Sequence, residues 1–394
     1  MIQNHSWADR IGALVRHEYN RLFEGTTYHK RKVLAGVVVD RAGDSQVICL
    51  STGTKCINGE LLSLDGLSLN DCHAEVIVRR CLVLWLYTQL EAALRQTGDP
   101  DCVLERDEVR EGGFRVKAGV TFHLFISTAP CGDARFVDQH QVTKFKVFDC
   151  RIFSLHEQQP EEGNVLTGYV GKLGEGNRGK LRSKIESGMG TVPLPGEERL
   201  QTWDGVQGGE RLLTMACSDK ILRWNVLGLQ GALLAHWLRP LYLSSVSLGS
   251  RFHPGHLTRA LHGRLPAASL AASLPRHYRL AQPPVLATTS PEARQPSKAG
   301  DHSVNWVRGR GAEVVTCSTG RTVQAAPSRL CKRSLAAQFS SLCSLRDTGA
   351  RARPSLGSLP RQQLTYEAAK CGAEDYSLAK QCMVTALLEA GCGR

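Results

Sequence analysis

The sequence predicts a single α/β domain, because long apolar helices alternate along it with short strands rich in β-branched residues. Residues 74–94 are rich in Val, Ile, Leu and Trp and predict a buried helix. The run 120–128 alternates like a strand, and 211–216 predicts a second, shorter strand. An apolar helix follows that second strand and is expected to continue to about Leu238. With 394 residues, 42% of them hydrophobic, the chain is long enough to bury a large core.

The composition argues against a membrane partner and favours a partner with negative charge. No signal peptide and no apolar run long enough to span a bilayer is evident, so we expect a soluble, intracellular protein without a membrane partner. The formal net charge is +12, which suits a polyanionic partner because Lys and Arg contacts to phosphates release counterions. Many basic proteins bind no nucleic acid, so charge alone is a weak signal.

Three segments carry candidate metal ligands. His73 and Glu75 lie at the start of the first predicted helix, Cys131 follows Pro130 at a strand-to-helix turn, and Cys217 opens the last helix. Helix amino ends favour thiolate over thiol, and thiolate is the form that zinc binds. Three protein ligands would leave the fourth zinc position to a water molecule whose pKa falls to about 7. Glu75 would then be free to move protons.

Each of these signals is weak alone. A His beside a Glu at a helix start is usually only a polar end, and most of the 14 cysteines are expected to be buried, reduced side chains. The combination of His-x-Glu with a later Pro-Cys is typical of zinc-dependent nucleobase deaminases, in which the Glu is the acid/base. That pattern places a second cysteine where this chain has Ala134. The third ligand must therefore be distant, and spacing does not decide between Cys150, Cys217 and Cys331.

Eight short motifs follow one another along the chain and identify a family. They are 31–38 (RKVLAGVV), 51–59 (STGTKCING), 69–75 (LNDCHAE), 127–135 (STAPCGDAR), 184–188 (KIESG), 201–205 (QTWDG), 217–220 (CSDK) and 223–226 (RWNV). From about Asp9 to the last residues, the chain resembles the catalytic domain of the adenosine deaminases acting on double-stranded RNA. Within that family it looks most similar to the vertebrate type-2-like group.

The resemblance implies a fold, a cofactor and a reaction. We expect one domain over 1–394, with a cytidine-deaminase-like three-layer core, a mixed sheet between helices and a largely helical C-terminal extension. The family's remote cysteine falls on Cys217, which with His73 and Cys131 completes the zinc site around the catalytic Glu75. The implied reaction is hydrolysis of adenosine to inosine in double-stranded RNA after base flipping, as a step of RNA editing in mRNA processing. Two alternatives are a tRNA adenosine deaminase, which shares this core, and a non-editing regulator that binds double-stranded RNA.

A second set of residues is expected to bind an anion. The two ligand-bearing helices are apolar on most sides, yet each carries two cations, which calls for an anion unless the side chains extend to solvent. The resemblance implies an enclosed inositol hexakisphosphate. Its expected ligands are Asn70, Arg79, Arg80, Lys220, Arg223, Trp224, Gln230, Lys332, Tyr366, Lys370, Tyr376 and Lys380.

The family's RNA contacts are carried over in the same way. They fall on Val33 in the base pocket, Thr54 and Lys55 at the flipped nucleotide, and Arg135, Arg211, Arg294 and Lys298 along the RNA backbone. Met189 stands where the family inserts a side chain, usually Glu, into the space left by the flipped base. An apolar wedge can hold such a kink, so we expect flipping with an altered preference for the opposing base. The alternative is a lineage whose editing has decayed.

Two segments and three properties complete the expectations. Residues 136–151 interrupt the family pattern directly after Arg135, and this insertion either bulges at the surface or disturbs Cys131. Residues 343–361 are of low complexity and predict a flexible loop. No separate double-stranded-RNA-binding domain is expected in this chain. A nuclear location and a homodimer are further expectations.

Overall fold

A mixed eight-stranded sheet crosses the protein. The computed structural model describes residues 6–135, 179–185, 191–193, 211–290, 292, 300–348 and 366–392. The described strands are β1 (Leu34–Arg41), β2 (Asp44–Thr52), β3 (Leu104–Arg106), β4 (Phe114–Val116), β5 (Val120–Ile126), β6 (Arg182–Ile185), β7 (Thr191–Pro193), β8 (Arg211–Met215), β9 (Ser245–Leu248), β10 (Val285–Ala287), β11 (His302–Val307), β12 (Gly311–Thr316) and β13 (Arg321–Thr322). The large sheet has the order β10-β9-β5-β1-β2-β11-β12-β13, parallel at β10/β9 and β9/β5 and antiparallel elsewhere. Strands β3 and β4 form a hairpin, and β7-β6-β8 forms a separate small sheet.

Helices cover both faces of the large sheet. The described α-helices are α1 (Trp7–Phe23), α2 (Ala74–Arg95), α3 (Cys217–Leu227), α4 (Gly231–Leu234), α5 (Pro254–Thr258), α6 (Ala267–Ser273), α7 (Lys332–Thr348), α8 (Tyr366–Cys371) and α9 (Glu374–Glu389). Helix α1 packs on one face of the sheet and α2 on the other, so the core has three layers. Among the described residues, no helix combines the length and the apolar character needed to cross a membrane.

The alternation along β1 shows why both faces are covered. Ala35, Val37 and Val39 join the core around α2, whereas Leu34 and Val38 pack against α1. All five side chains are nearly inaccessible to solvent. A strand buried on both faces reads as a continuous apolar run, which is the sequence pattern of β1.

The predicted α/β class and mixed sheet are confirmed. The strands expected at 120–128 and 211–216 correspond to β5 and β8, and the helix expected at 74–94 corresponds to α2. The helix expected to run to Leu238 was wrong in length, since it ends at Leu227 and a second short helix, α4, follows. The cause is Gly228, whose φ of +79° leaves the helical region and ends the helix.

Two further expectations need correction. After Cys131 the described chain forms only a 3₁₀ turn, Asp133–Arg135, rather than a helix that begins at the cysteine. Residues 343–348 belong to α7 and not to a loop, because the earlier turns of α7 are anchored in the core by Leu335, Phe339 and Leu342. The rest of the predicted loop, 349–361, and the insertion 136–151 lie outside the described residues.

Candidate metal centre

Three side chains from distant segments meet at one buried point. His73 is the cap residue directly before α2, Cys131 lies in the turn after β5, and Cys217 is the first residue of α3, directly after β8. The three residues are at most 8% exposed. Each donor atom therefore lies at or near the amino end of a helical segment, where free backbone N–H groups stabilise negative charge.

The donor atoms are spaced as a zinc ion requires. His73 Nδ1 lies 3.8 Å from Cys131 Sγ and 3.5 Å from Cys217 Sγ. All three donor atoms lie within 4.8 Å of one another. Tetrahedral zinc with ordinary Zn–N and Zn–S bond lengths places its nitrogen and sulfur ligands about 3.6 Å apart. The residues therefore fit a zinc ion with three protein ligands.

Glu75 is the nearest candidate for proton transfer. It lies in the first turn of α2, two residues after His73, and is 3% exposed. Its Oε2 atom is buried and has no hydrogen-bond partner among the described residues. A buried carboxylate oxygen without a partner is costly in an ordinary core, which is consistent with a functional role.

A second layer of charge surrounds the ligands. Lys184 Nζ donates to Asp71 Oδ2 at 2.7 Å and to Cys217 Sγ at 3.1 Å. Lys220 also pairs with Asp71, and Asp71 Oδ1 accepts a hydrogen bond of 3.0 Å from the backbone N–H of His73. Both Lys184 and Asp71 are buried. One carboxylate thus connects two ammonium groups to the loop that carries His73.

These contacts fix the charge states. Burial by itself raises the pKa of Asp71, but Lys184 and Lys220 hold that pKa well below its ordinary value. Burial opposes the charge on Lys184 as well, yet Asp71, Cys131 and Cys217 raise its pKa well above the ordinary value. Lys184 therefore remains a cation beside the sulfur of Cys217.

The two thiols behave as a pair. A hydrogen bond from Cys217 lowers the pKa of Cys131 well below its ordinary value, with help from Lys184 and His73. Although burial and Lys184 both act to lower the pKa of His73, Cys131 and Asp71 raise it to about 10. The site therefore stabilises a thiolate at Cys131, the chemical form that binds zinc.

Another trio, Cys56, Asp71 and His73, also has its donor atoms within 4.8 Å of one another. It shares His73 with the first group, so the two groups cannot each hold an ion. Two lysines already pair with Asp71, whereas the lowered pKa of Cys131 favours its thiolate form. The His73, Cys131 and Cys217 group is the better metal site.

The predicted contacts to the flipped nucleotide lie beside the metal site. The backbone N–H of Cys72 donates to Lys55 O at 3.0 Å, and that of Ala74 donates to Gly53 O at 3.0 Å. This approach requires glycine, since a Cβ on Gly53 would lie 2.0 Å from Cys72 O. Thr54 lies between these two contacts, and its buried Oγ1 has no partner in the described part of the chain.

Three of the other predicted RNA contacts, Val33, Arg135 and Arg211, lie within the described residues. Val33 is 8% exposed and directly precedes Leu34, the β1 partner of Thr52. Arg135 ends the 3₁₀ turn and donates through Nε to Ala129 O. Arg211 begins β8. Three of the predicted residues lie outside the described ranges, and these are Met189, Arg294 and Lys298.

Several predicted anion ligands gather between α2, α3, α8 and α9. Burial, together with the charges of Arg80 and Arg223, lowers the pKa of Arg79 to about 10, although Tyr376 and Tyr366 act in the opposite direction. Burial, Arg223 and Lys370 likewise lower the pKa of Lys380. These interactions join members of the predicted set that lie on four helices.

The cations of this cluster lack acidic partners. Within the described ranges, no carboxylate lies at ion-pair distance from Arg79, Arg223, Lys370 or Lys380. A group of partly buried cations without counterions fits a ligand with several negative charges. We name this group the anion cluster, and its members are Arg79, Arg80, Arg223, Tyr366, Lys370, Tyr376 and Lys380.

The remaining predicted anion ligands differ in their contacts and in their burial. Lys220 pairs with Asp71, and the buried Gln230 donates to Leu227 O at 2.9 Å and accepts from the backbone of Leu241 at 3.0 Å. Trp224 is buried on α3. Asn70 is partly buried, and Lys332 is exposed at the start of α7.

The fold and the ligand arrangement define a deaminase-like α/β domain with a candidate metal centre. The model of the adenosine-deaminase (editase) domain family matches residues 49–394. The chain belongs to that family. The identification from the sequence motifs is confirmed.

Three relatives support this family, and they align with different fractions of this chain. The double-stranded RNA-specific editase B2 of Rattus norvegicus is 41% identical over 98% of this chain and 49% of its own length. The double-stranded RNA-specific editase Adar of Drosophila melanogaster is 40% identical over 95% of this chain and 51% of its own length. The tRNA-specific adenosine deaminase 1 of Drosophila melanogaster is 33% identical over 56% of this chain and 49% of its own length. The chain spans about half the length of these relatives.

Sequence reasoning missed Asp71 and Lys184 as functional residues. Both lie in motifs that carry the resemblance, 69–75 and 184–188, but neither residue type is unusual on a protein surface. Their burial and their mutual contact depend on bringing β6 against the loop before α2, which no local pattern reveals.

We predict that Lys184→Met weakens the fold and the metal site together. The change leaves Cys217 without its ammonium donor and Asp71 with a single cation. Removing one partner of a buried ion pair costs about 3 kcal/mol or more. Urea unfolding should show this loss, and metal analysis after dialysis should show less retained zinc.

The control for this variant is Arg95→Met, which breaks the exposed pair with Glu91. An exposed pair of this kind contributes about 0.5 kcal/mol or less. Equal stability losses in the two variants would contradict the role given to Lys184.

Proposed function

We propose that this chain is the catalytic domain of a zinc-dependent adenosine deaminase that acts on double-stranded RNA and converts adenosine to inosine. The proposal rests on the buried group of His73, Cys131 and Cys217 and on the Glu75 oxygen, which has no hydrogen-bond partner among the described residues. Membership of the editase domain family and the similarity to the rat and fly relatives, both double-stranded RNA-specific editases, support the substrate.

The chain's own residues have distinct tasks in this reaction. His73, Cys131 and Cys217 would hold the ion, which when bound supplies a water activated for attack on C6 of the purine. Glu75 would take one proton from the attacking water and pass it to N1 of the purine, and would then carry the proton of the new C6 hydroxyl to the amino group, which leaves as ammonia. Burial and the hydrogen bond with Cys131 raise the pKa of Cys217 well above its ordinary value, and the ammonium group of Lys184, which donates to that sulfur, would offset part of this cost when Cys217 loses its proton to bind the ion. Burial of all these residues would exclude competing bulk water.

We propose that the duplex approaches over the loop that contains Thr54 and Lys55. This loop hydrogen-bonds to both sides of His73, so a nucleotide bound there would place its base near the ion. Val33 would line the base pocket, and Arg135, Arg211, Arg294 and Lys298 would contact the RNA backbone. Such contacts set position more than sequence, which suits recognition of an A-form duplex by shape.

A polyphosphate is the second proposed cofactor. Inositol hexakisphosphate would supply the negative charge that the anion cluster lacks, and Lys220 would connect that ligand to Asp71. The further ligands would be Asn70, Trp224, Gln230 and Lys332.

The two alternatives receive less support. The tRNA-specific relative aligns with 56% of this chain, whereas the duplex RNA editases align with 95% or more. A non-editing regulator would have no need of an acid/base beside an intact ligand set. A nuclear location, a homodimer, the effect of the insertion and the absence of separate RNA-binding domains stay predictions.

We predict that Glu75→Gln abolishes editing while the zinc stays bound. Glutamine keeps the shape of the side chain but cannot shuttle protons, and loss of a general acid/base costs about 10²–10⁴-fold in rate. Inosine should be measured on a long RNA duplex by sequencing for A-to-G changes, with zinc content determined in parallel.

The matched control is Glu60→Gln, which alters an exposed carboxylate. It should edit like the natural chain. Undiminished editing by Glu75→Gln would exclude the proposed mechanism.

We predict that Met189→Glu changes the preference for the base opposite the edited adenosine. A glutamate could hydrogen-bond to the orphaned base, whereas methionine can only fill the space. Editing rates should be compared on hairpins that differ only in the opposing base. Activity in the mutant but none in the natural chain would show instead that editing has decayed in this lineage.

We predict that the purified natural chain retains one inositol hexakisphosphate and that Arg79→Met loses it. The change removes a buried cation from the anion cluster. The measurement is total phosphate per chain after denaturation and acid hydrolysis, with the exposed Arg95→Met as the control. A natural chain free of phosphate would refute the polyphosphate proposal.

A further inference from the structure

Each cysteine ligand is followed two residues later by a buried aspartate that is held by an arginine. Asp133 follows Cys131, and Asp219 follows Cys217. Both aspartates are 0% exposed. Their arginine partners, Arg259 and Arg264, lie only five residues apart in the chain.

The contacts of Arg259 hold the turn that carries Cys131. Its Nε donates to Asp133 Oδ2 at 2.9 Å, and its Nη2 donates to Asp133 Oδ1 at 3.2 Å and to the backbone oxygen of Asp133 at 3.3 Å. Asp133 Oδ1 also accepts from the backbone of Gly179 at 3.0 Å. The carboxylate thus ties the turn to two other segments.

The contacts of Arg264 hold the start of α3. Its Nη2 pairs with Asp219 Oδ1, and its Nη1 donates to Gly179 O at 3.0 Å. The other oxygen, Asp219 Oδ2, accepts from the backbone of Arg182 in β6 at 2.7 Å. The first turn of α3, which begins with Cys217, is therefore fixed on two sides.

The two arginines lie at the two ends of one π-helical turn. Residues Arg259–Gly263 form a π-helical turn that follows α5, and Arg264 comes directly after it. Ala260 and Leu261 are fully buried, and Asn225 of α3 donates to Leu261 O at 2.9 Å. The turn is thus a common support for two ligand segments that are 86 residues apart in the chain.

The two ligand segments also touch each other. The backbone N–H of Ser218 donates to Cys131 O at 3.0 Å, and that of Cys217 donates to Cys131 Sγ at 3.4 Å. A shift of either segment would change the distance between the sulfurs. Metal affinity is sensitive to such shifts because zinc–sulfur bonds have a narrow range of length.

We propose that Arg259 and Arg264 are positioning residues for the metal centre, because they fix the spacing of the Cys131 and Cys217 sulfurs through Asp133 and Asp219. This inference rests on the proposed zinc site. It assigns the π-helical turn a role in metal retention beyond its contribution to stability.

The chain provides a matched control. Arg239 makes a bidentate pair with Asp107 beside the β3–β4 hairpin, and the two side chains are 23% and 0% exposed. The corresponding values for Arg259 and Asp133 are 25% and 0%. Loss of either pair should affect unfolding similarly, but only one pair leads to a metal ligand.

The experiment compares the zinc-loaded natural chain with Arg259→Met, Arg259→Lys and Arg239→Met. Zinc release to a colorimetric chelator is timed, urea unfolding is recorded, and the absorption bands of the cobalt-substituted proteins are compared. We expect about tenfold faster zinc release and altered cobalt bands in Arg259→Met, the usual size for loss of outer-shell support. Arg259→Lys should be intermediate, because lysine keeps the charge but not the bidentate fork. Arg239→Met should release zinc like the natural chain.

Two results would overturn the inference. One is equal zinc release from Arg239→Met and Arg259→Met, which would mean a purely structural role. The other is natural release and natural cobalt bands in both Arg259 variants. If Arg259→Met fails to fold, the lysine variant still decides between these outcomes. A natural chain that retains no zinc would overturn the proposed function itself and is distinguishable from both results.

Discussion

Buried carboxylates beside the candidate metal ligands are the constraint on which this site depends. His73, Cys131 and Cys217 come from segments separated by 58 and 86 residues, yet their donor atoms must lie within about 4 Å of one another. Backbone pairing alone does not fix such distances, because each ligand lies outside a regular strand. Each ligand has an aspartate two positions away in the sequence. That aspartate restrains the ligand's segment through a charged partner on another segment, and the three aspartates are Asp71, Asp133 and Asp219.

This arrangement also joins the two proposed cofactor sites. Asp71 pairs with Lys184, which donates to Cys217, and with Lys220, which lies three residues before Arg223 of the anion cluster on α3. A change in charge at the anion cluster would therefore alter the electrostatic potential at Lys184, because both are linked through the carboxylate of Asp71. Because the pair of Lys184 and Asp71 is buried, solvent screens this interaction only weakly.

Local patterns predicted the elements that carry the ligands but not their packing. Helix α2 and strands β5 and β8 followed from apolar runs and alternation, since those signals depend on neighbours along the chain. The end of α3 at Gly228 was missed because the apolar pattern continues beyond it, and only the left-handed backbone of that glycine reveals the break. Spacing could not select Cys217, and Lys184 looked like a surface cation. Both depend on contacts across more than thirty residues.

The uncompensated charge of the anion cluster affects the stability of the helices that carry it. An unpaired cation that is taken out of water costs several kcal/mol, even after the protein relaxes around it. Arg79 Nε donates to Leu229 O at 2.9 Å, and burial together with Arg80 and Arg223 lowers the pKa of its guanidinium, as expected for a buried charge without an acidic partner among the described residues. A domain has only about 5–15 kcal/mol of net stability, so even the smaller cost of a partly buried cation without a counterion is a noticeable part of it. The proposed polyanion would therefore stabilise the helices that carry the anion cluster, and its removal should lower the free energy of their unfolding.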